Sequence, residues 1–327
     1  MVNRSGTATD GRLASLLIRV GSRSTVTFTP TGARSVHRGY LVELGAAMGS
    51  LAWSTYVAAS KPVVTDHLAP GETREMWSPT SSTLVYGDRD AVLVDALLTM
   101  DEGRALADWV AASGRNLTTI YITHSHGDHF FGASPVLERF PMARMVATER
   151  VVDRMREQVS DQWLDGFWRK GFPDQIAERP PIAEPLAGHT IDLEGEQLVA
   201  IELGHSDTDD TTALHVPSLG LVVAGDAVYN DVNLYLTEAG HGGIEGWLAA
   251  LDSIKSLQPS TVIAGHKRDG AEDSPDNIEK TRRYLQDFDA EVQRTDSAED
   301  LYEAMIDRYP DRINRAVVWN SAHAIKG

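Results

Sequence analysis

The sequence predicts an α/β fold in which β-strands alternate with α-helices, and three observations support this. The 327 residues are 42% hydrophobic and 24% charged, a composition typical of an ordinary globular protein. From Ser82 onward, short runs rich in β-branched residues alternate with amphipathic segments of helical period. Several of the predicted strands end in histidine or aspartate beside a glycine, which indicates a functional site at one edge of a sheet.

The first half of this region predicts a hairpin, a helix and a buried strand. Its expected elements are strands Thr83–Tyr86 and Ala91–Val94, helix Asp101–Ser113, strand Leu117–Thr123 and a helix from about Ser134. Gly87 and Asp88 provide the turn chemistry of the hairpin, and Gly114 ends the first helix.

The second half repeats the alternation. Its expected elements are strands Gln197–Leu203, Thr212–Val216 and Leu221–Ala224, helix Ile244–Leu257, strand Thr261–Ala264, and helices Asn277–Val292 and Ala298–Tyr309. A helical insertion at about residues 160–178 separates the halves and is dense in aromatic residues from Trp163 to Phe172. Such an insertion either packs against the sheet as core or lines an apolar pocket.

Residues 1–47 differ from the rest of the chain in charge. They hold six arginines against one aspartate and one glutamate, and they are rich in serine and threonine. We expect a basic N-terminal extension followed by the main domain over residues 48–327, with Met48 as an alternative start.

Charge and composition exclude several classes of function. The 47 acidic and 30 basic residues give a net charge of −17, which repels nucleic acid. The longest uncharged stretch, Leu44–Ser60, contains serine, threonine and glycine and falls short of a bilayer span. The chain has no cysteine, so thiol nucleophiles are excluded and any metal must be bound by histidine and carboxylate side chains. We therefore expect a cytoplasmic protein that acts on a small molecule, with a homodimer left open.

A dense group of metal-ligating side chains follows strand Leu117–Thr123. The sequence His-Ser-His-Gly-Asp-His occupies positions 124–129, so four candidate ligands fall within six residues. His124 and His126 point the same way from an extended backbone, whereas Asp128 and His129, past the turn, can face a second position. This count fits two metal ions better than one.

Three later residues have the same placement at the end of a predicted strand. His205, Asp226 and His266 each follow a strand and stand next to a glycine. Since a zinc ion takes about four ligands, two ions need more than the first loop supplies. We expect these three side chains at the same edge of the sheet.

These motifs resemble the metallo-β-lactamase-fold hydrolase superfamily from roughly Trp77 to Arg268. The resemblance implies a four-layer αββα sandwich, in which two mixed β-sheets pack face to face between helices and the site lies along one edge. It also implies a complete set of ligands: His124, His126 and His205 for the first metal, Asp128, His129 and His266 for the second, and Asp226 bridging both. Zn²⁺ is the expected ion, with iron, manganese and cobalt left open because histidine and carboxylate also bind these metals.

The expected chemistry follows from two neighbouring ions. Ions about 3.5–4 Å apart can share a water whose pKa falls towards 7, which gives a bridging hydroxide as nucleophile. Asp128 or Asp226 could carry the proton. Asp95, at the end of strand Ala91–Val94, is expected either to fix the second ring nitrogen of a ligand histidine or to cap the next helix.

Asp226 and Tyr229 narrow the resemblance to the N-acyl homoserine lactonase and glyoxalase II-like branches. The β-lactamase subclass with His-x-His-x-Asp-His lacks the bridging aspartate, so Asp226 favours esters over β-lactams. Asp226-x-x-Tyr229 resembles the lactonases, in which the tyrosine hydroxyl helps to hold the substrate carbonyl; otherwise Tyr229 is a core residue. We expect a hydrolase that opens an ester or lactone.

Three alternatives stay open at this point. The same site could serve a glyoxalase II-like thioesterase, for which Lys267 and Arg268 would bind glutathione unless they form a solvated turn. It could serve a β-lactamase-like amidase. A homologue that binds metal without turnover belongs to another class altogether.

Overall fold

The structure is a computed structural model and describes residues 50–240 and 242–327. The predicted basic extension, residues 1–47, and the alternative start at Met48 lie outside the described residues. Among the helices of the described part, none is both long enough and apolar enough to cross a lipid bilayer.

The described residues contain two large sheets and two short ones. In chain order the strands are β1 (Ala52–Val57), β2 (Lys61–Val63), β3 (Glu75–Trp77), β4 (Ser81–Tyr86), β5 (Asp90–Val94), β6 (Asn116–Tyr121), β7 (Arg144–Ala147), β8 (Glu184–Pro185), β9 (Thr190–Leu193), β10 (Glu196–Gly204), β11 (Thr211–Val216), β12 (Leu221–Val223), β13 (Tyr229–Asn230), β14 (Thr261–Ile263) and β15 (His266–Lys267). The first large sheet has the order β1-β4-β5-β6-β7-β8, and the second has the order β14-β12-β11-β10-β9. Strands β13 and β15 pair in one short sheet and β2 and β3 in the other.

Helices cover the outer faces of both large sheets. They are α1 (Met100–Ala112), α2 (Ala133–Arg139), α3 (Glu149–Gln158), α4 (Asp161–Trp163), α5 (Arg169–Gly171), α6 (Gly243–Ser256), α7 (Asp276–Arg294), α8 (Ala298–Arg308) and α9 (Arg315–Lys326). A π-helical turn, Leu164–Trp168, joins α4 to α5. The predicted aromatic insertion is therefore helical.

Alternation along the strands builds three apolar layers. In β5, Leu93 faces the core shared with helices α1, α2 and α3, whereas Val92 and Val94 face the other sheet. In β12, Val222 packs towards helices α6 to α9, while its neighbours face inwards. Two sheets thus pack face to face between two layers of helices, which confirms the predicted αββα sandwich.

Hydrogen bonds join the two sheets at the end that carries the ligand loops. The backbone N–H of Thr212 donates to the carbonyl of Thr123 over 2.9 Å. The backbone N–H of Ser81 donates to the carbonyl of Gly265 over 2.7 Å. Because β5 and β6 run parallel, as do β12 and β14, their carboxyl ends meet at this edge.

Candidate metal centre

The loop after β6 turns back on itself within six residues. The chain bends at His124 and Ser125, and His126 has an extended backbone. A 3₁₀ turn over Gly127–His129 follows, with the His129 N–H donating to the His126 carbonyl over 3.0 Å. His124, Asp128 and His129 are buried. The turn lets four ligand-type side chains from one loop face two adjacent positions.

One group of ligand atoms gathers His124, His126 and Asp207. The Asp207 Oδ2 atom lies 2.7 Å from His126 Nδ1 and 3.4 Å from His124 Nε2. Asp207 follows β10 and was not among the residues that the sequence predicted.

Two further groups share His129. One holds His124, His129 and Asp226, and the other holds Asp128, His129 and His266. The Nε2 atom of His266 lies 3.3 Å from Asp128 Oδ2. The groups are contiguous, so this edge of the sandwich carries a single extended cluster.

Asp226 lies at the centre of that cluster. Its Oδ1 is 3.3 Å from His129 Nε2, and its Oδ2 is 3.1 Å from His266 Nε2 and 4.0 Å from His124 Nε2. A Cβ on Gly265 would come within 2.0 Å of Asp226 Oδ1, so only glycine leaves room for the carboxylate. Asp226 thus lies between His124, which belongs to the group with His126, and His266, which belongs to the group with Asp128. This is the position expected of a bridging ligand.

The four histidines of the cluster have their outward nitrogens fixed. The partners are Thr123 Oγ1 for His124 Nδ1 at 3.0 Å, Asp95 Oδ2 for His129 Nδ1 at 2.9 Å, the Pro79 carbonyl for His266 Nδ1 at 3.0 Å, and Glu238 Oε1 for His126 Nε2 at 3.1 Å. Each ring therefore turns its other nitrogen towards the cluster, which is how metal-ligating histidines are held.

Asp95 takes one of the two roles considered from the sequence. Its carboxylate also accepts from the Thr123 N–H and hydroxyl, each over 2.9 Å. Helix α1 is capped instead by Thr99, which forms a capping box with Glu102. Asp95 is thus committed to the loop that carries the ligands, and not to the helix.

Unpaired buried atoms test whether the cluster fits a metal. His124 Nε2, His129 Nε2, Asp207 Oδ2 and Asp226 Oδ1 are buried without a hydrogen-bond partner. Leaving such a group unsatisfied costs about 1–3 kcal/mol, which coordination to a cation would offset. Imidazole nitrogens and carboxylate oxygens together are a donor set for zinc and other divalent transition metals. The residues fit the implied ions.

The pKa values reflect strong mutual interactions in the cluster. Burial alone would raise the pKa of Asp226, but the neighbouring His266 and His129 hold it well below its usual range. Burial would lower the pKa of His126, yet the Asp207 carboxylate raises it well above the ordinary value. The pKa of His124 is lowered by burial and by the charge of His129. Carboxylates and imidazolium groups thus balance each other's charge.

The structure does not bring His205 into the cluster. Its Nδ1 lies 2.8 Å from Asp209 Oδ1, and its Nε2 approaches Gly243 of α6, where a Cβ would come within 2.6 Å. The register of the β10–β11 pair shifts between Glu202 and Gly204, and Gly204 has a φ of +79°. Such a bulge re-aims the side chains that follow it, so His205 turns away from the position expected for it.

Tyr229 lies beside the cluster and within the core. Its hydroxyl donates to Asp226 Oδ2 over 2.8 Å, and its ring packs against Trp247 and His266. Burial and the Asp226 charge raise the Tyr229 pKa well above its ordinary value, so the hydroxyl keeps its proton.

A cavity of about 570 Å³ opens onto the cluster. Its apolar wall includes Val63, Trp77, Trp163, Phe167, Trp168 and Phe172. Trp168 and Phe172 are buried, whereas Trp163 and Phe167 are 37% and 46% exposed. The insertion therefore serves both alternatives, because all four side chains line the cavity and Trp168 and Phe172 also pack in the core.

Trp77 links this wall to the cluster. Its Nε1 donates to Asp128 Oδ2 over 3.0 Å, and its ring packs against Trp168 at 5.4 Å between centroids. The sequence pattern does not single out Trp77, Glu238 or Asp207 as residues of the site. Only Asp207 had a local signal, because it lies two residues after His205 in an acidic loop.

Comparison with known proteins agrees with this architecture. The sequence model of the metallo-beta-lactamase superfamily matches residues 76–266. A metallo-beta-lactamase family protein from Thermus thermophilus superposes with a TM-score of 0.55 and 21% identity, over 83% of this chain and 91% of its own. The metallo-beta-lactamase FIM-1 from Pseudomonas aeruginosa, in its mono-zinc form, superposes with a TM-score of 0.51 and 16% identity, over 72% and 91%.

The structural similarity shows the fold, and the sequence match shows the family. A search of curated proteins finds no match. The superfamily match spans more than half of the chain and runs from the strand that carries Trp77 to the ligand residue His266. This chain belongs to the metallo-beta-lactamase superfamily.

Proposed function

We propose that this protein is a dinuclear metal hydrolase that opens an ester or lactone bond of a substrate with an apolar chain. Membership of the superfamily supports a metal-dependent hydrolase. The observation that carries the finer proposal is the placement of Asp226 at the end of an aromatic cavity, within 4.0 Å of His124 and nearer still to His129 and His266.

The described residues divide into two sets of ligands. His124 and His126 would hold the first ion together with a residue of the loop after β10. Asp128, His129 and His266 would hold the second, with Asp226 between the two. Zn²⁺ is the ion that we propose, since a structural match is to a mono-zinc protein and the nitrogen and oxygen donors suit it.

The reaction adds water to the carbonyl carbon and breaks the bond to the leaving oxygen. Two bound divalent ions supply an activated water and stabilise the negative charge that develops on oxygen. Asp128 would accept a proton from the water and return it to the leaving oxygen, and its position in the lining of the cavity supports this role. Trp77 Nε1 orients that carboxylate through the 3.0 Å hydrogen bond.

Tyr229 would orient Asp226 and approach the substrate carbonyl. Its hydroxyl is protonated and touches the carboxylate, and the residue also lines the cavity. A neutral donor at this position can hydrogen-bond to a carbonyl oxygen as it gains charge.

The aromatic wall favours an apolar chain over a charged carrier such as glutathione. A cavity of about 570 Å³ lies within the usual range for small-molecule sites, ~300–1,000 Å³. The two cations after His266 are engaged elsewhere: Lys267 Nζ lies 2.5 Å from Asp273 Oδ1, and Arg268 donates to the Asp311 carbonyl. Neither lines the cavity, whose lining contains one lysine, Lys170, beside the carboxylates of Asp66 and Glu75, and this weighs against a glutathione thioester.

The proposal is tested by proton release from a panel of substrates. Zinc-loaded protein is mixed with N-acyl homoserine lactones of increasing chain length, other γ-lactones, aryl esters, thioesters and β-lactams, and a chelated sample serves as control. Chelator-sensitive hydrolysis of lactones or esters is expected. A protein that holds two ions and hydrolyses none of them, or that hydrolyses only thioesters or β-lactams, would overturn the proposal.

A further inference from the structure

We propose that Asp207, and not His205, completes the first metal site, so that this site has two imidazoles and one carboxylate. The inference rests on the dinuclear centre proposed above and assigns one of its ligands. It concerns which side chain of the loop after β10 faces His124 and His126.

Asp207 has the geometry and the burial of a ligand. Its side chain is 0% exposed, and Oδ2 lies within 3.4 Å of both histidine nitrogens that face it. The other oxygen, Oδ1, accepts from the Ser206 hydroxyl over 2.8 Å, which fixes the orientation of the carboxylate. Oδ2 and His124 Nε2 are both buried without a hydrogen-bond partner and point at each other.

Neighbouring residues of the same loop hold Asp207 in place. Thr208 donates to Glu238 Oε2 over 2.7 Å, and the other oxygen of Glu238 contacts His126 Nε2. On the far side of the loop, Arg154 of α3 binds both Asp209 and Asp210 at 2.8 and 3.2 Å. The loop is thus anchored at both ends with Asp207 facing inwards.

His205 is held in a different environment. Its Nδ1 contacts Asp209, whose carboxylate also binds Arg154, and its ring lies against Gly243 and Gly246 of α6. Its Nε2 is also buried without a hydrogen-bond partner, but it lies outside the groups of ligand atoms found among the described residues, whereas Asp207 belongs to one of them. A ring between α6 and Asp209 serves to pack the loop on the helix. His205 is therefore a positioning residue for Asp207.

A carboxylate in place of a third imidazole changes which metal the first site prefers. A carboxylate is a harder donor than an imidazole, so two histidines and one aspartate favour Mn²⁺ and Fe²⁺ more than three histidines do. The two sites of the centre would then differ less in donor type, because the second already contains carboxylate ligands.

The test measures metal content and affinity and does not depend on turnover. Metal-free wild type, Asp207→Asn, Asp207→Ala and His205→Ala are loaded with Zn²⁺ or Mn²⁺, desalted and analysed by mass spectrometry, and affinities are measured by chelator competition. Asp209→Asn is the control for the loop, because it makes the same chemical change at a residue that anchors the loop but does not face the histidines of the cluster. Circular dichroism of each metal-free variant checks folding, and the isosteric Asp207→Asn is informative if the alanine variant does not fold.

We expect both Asp207 variants to retain the ion of the second site and to bind the ion of the first site more than about 100-fold more weakly. This loss exceeds the ~10–100-fold loss typical of removing an outer hydrogen bond. His205→Ala and Asp209→Asn, which act on Asp207 only through the loop, should keep two ions, with a loss of affinity no greater than the ~10–100-fold typical of an outer contact. Loss of one ion from His205→Ala, or two tightly bound ions in Asp207→Asn, would overturn the assignment. Wild type that binds two ions but hydrolyses no substrate would refute the proposed reaction and leave this assignment standing.

Discussion

Replacing Asp95 with asparagine should weaken metal binding while the protein stays folded. Asp95 is 2% exposed and accepts hydrogen bonds from the Thr123 N–H, the Thr123 hydroxyl and His129 Nδ1, each 2.9 Å long. Its φ of +61° is a left-handed conformation that asparagine tolerates. The substitution keeps the shape of the side chain but removes its charge and turns one acceptor into a donor.

The expected magnitude follows from these contacts. Loss of the carboxylate behind a ligand histidine typically lowers metal affinity by ~10–100-fold, or about 1.4–2.7 kcal/mol. The effect should fall on the ion that His129 binds. Asp95→Ala should be more severe, because three buried donors would lose their acceptor at about 1–3 kcal/mol each.

Chelator competition measures the affinity, and thermal unfolding of the metal-free protein measures the stability. Asp90→Asn is the matched control, since Asp90 begins the same strand at the opposite end and its side chain accepts from the exposed Asn116 amide at 3.0 Å. Affinity in Asp95→Asn equal to that of Asp90→Asn would refute the view that Asp95 holds a ligand histidine.

Four further outcomes are expected. Asp226→Ala should reduce the bound metal towards one ion and abolish turnover; unchanged stoichiometry by mass spectrometry would contradict the bridging position. Tyr229→Phe should cost about 1–3 kcal/mol in kcat/KM through loss of a hydrogen bond to a charged group, and an unaltered rate would make Tyr229 a core residue only. In metal-free protein, burial lowers the pKa of His266 but the Asp226 and Asp128 carboxylates raise it to about 9, so its contribution to stability is complete below about pH 6.5 and is lost as pH rises towards 9. Urea unfolding of chelated protein between pH 6 and 9 measures this loss, and a profile that rises with pH would contradict it. Phe167→Ala should raise KM for long-chain substrates with little change in Tm, because Phe167 is half-exposed. Trp168→Ala should destabilise the fold by about 3–5 kcal/mol, because Trp168 is buried; equal effects on Tm would show that Trp168 contributes no more to the core than Phe167 does.

The local sequence pattern is sufficient to predict those elements whose turns and apolar periodicity lie within the element itself. The hairpin of β4 and β5 was predicted from two β-rich runs around a Gly-Asp turn, and the structure extends it by only one or two residues. Helix α6 was predicted to within one residue at each end. In both cases apolar residues recur at the period of the element, so the sequence contains the information.

Elements stabilised mainly by their neighbours were not predicted. All six residues of β1 are half-buried, because it is an edge strand that pairs only with β4, so its burial does not alternate. Helix α9 buries alanine and serine beside Val318 and Trp319, which leaves a weak apolar period. Tertiary contacts form these elements, and a single sequence does not contain them.

The candidate site shows the same division between local and long-range information. Four candidate ligands on one loop, and two at the ends of parallel strands, are predicted to lie together because a strand fixes where its last residue points, and the structure brings these six side chains into one cluster. The same reasoning predicts that His205 faces the cluster, on the assumption that β10 ends without a bulge. The register shift at Glu202 and Gly204 breaks that assumption, since an extra residue in one strand rotates everything after it. Asp207, two residues further along the chain, faces His124 and His126 instead, and where a loop side chain points depends on contacts that the local pattern does not contain.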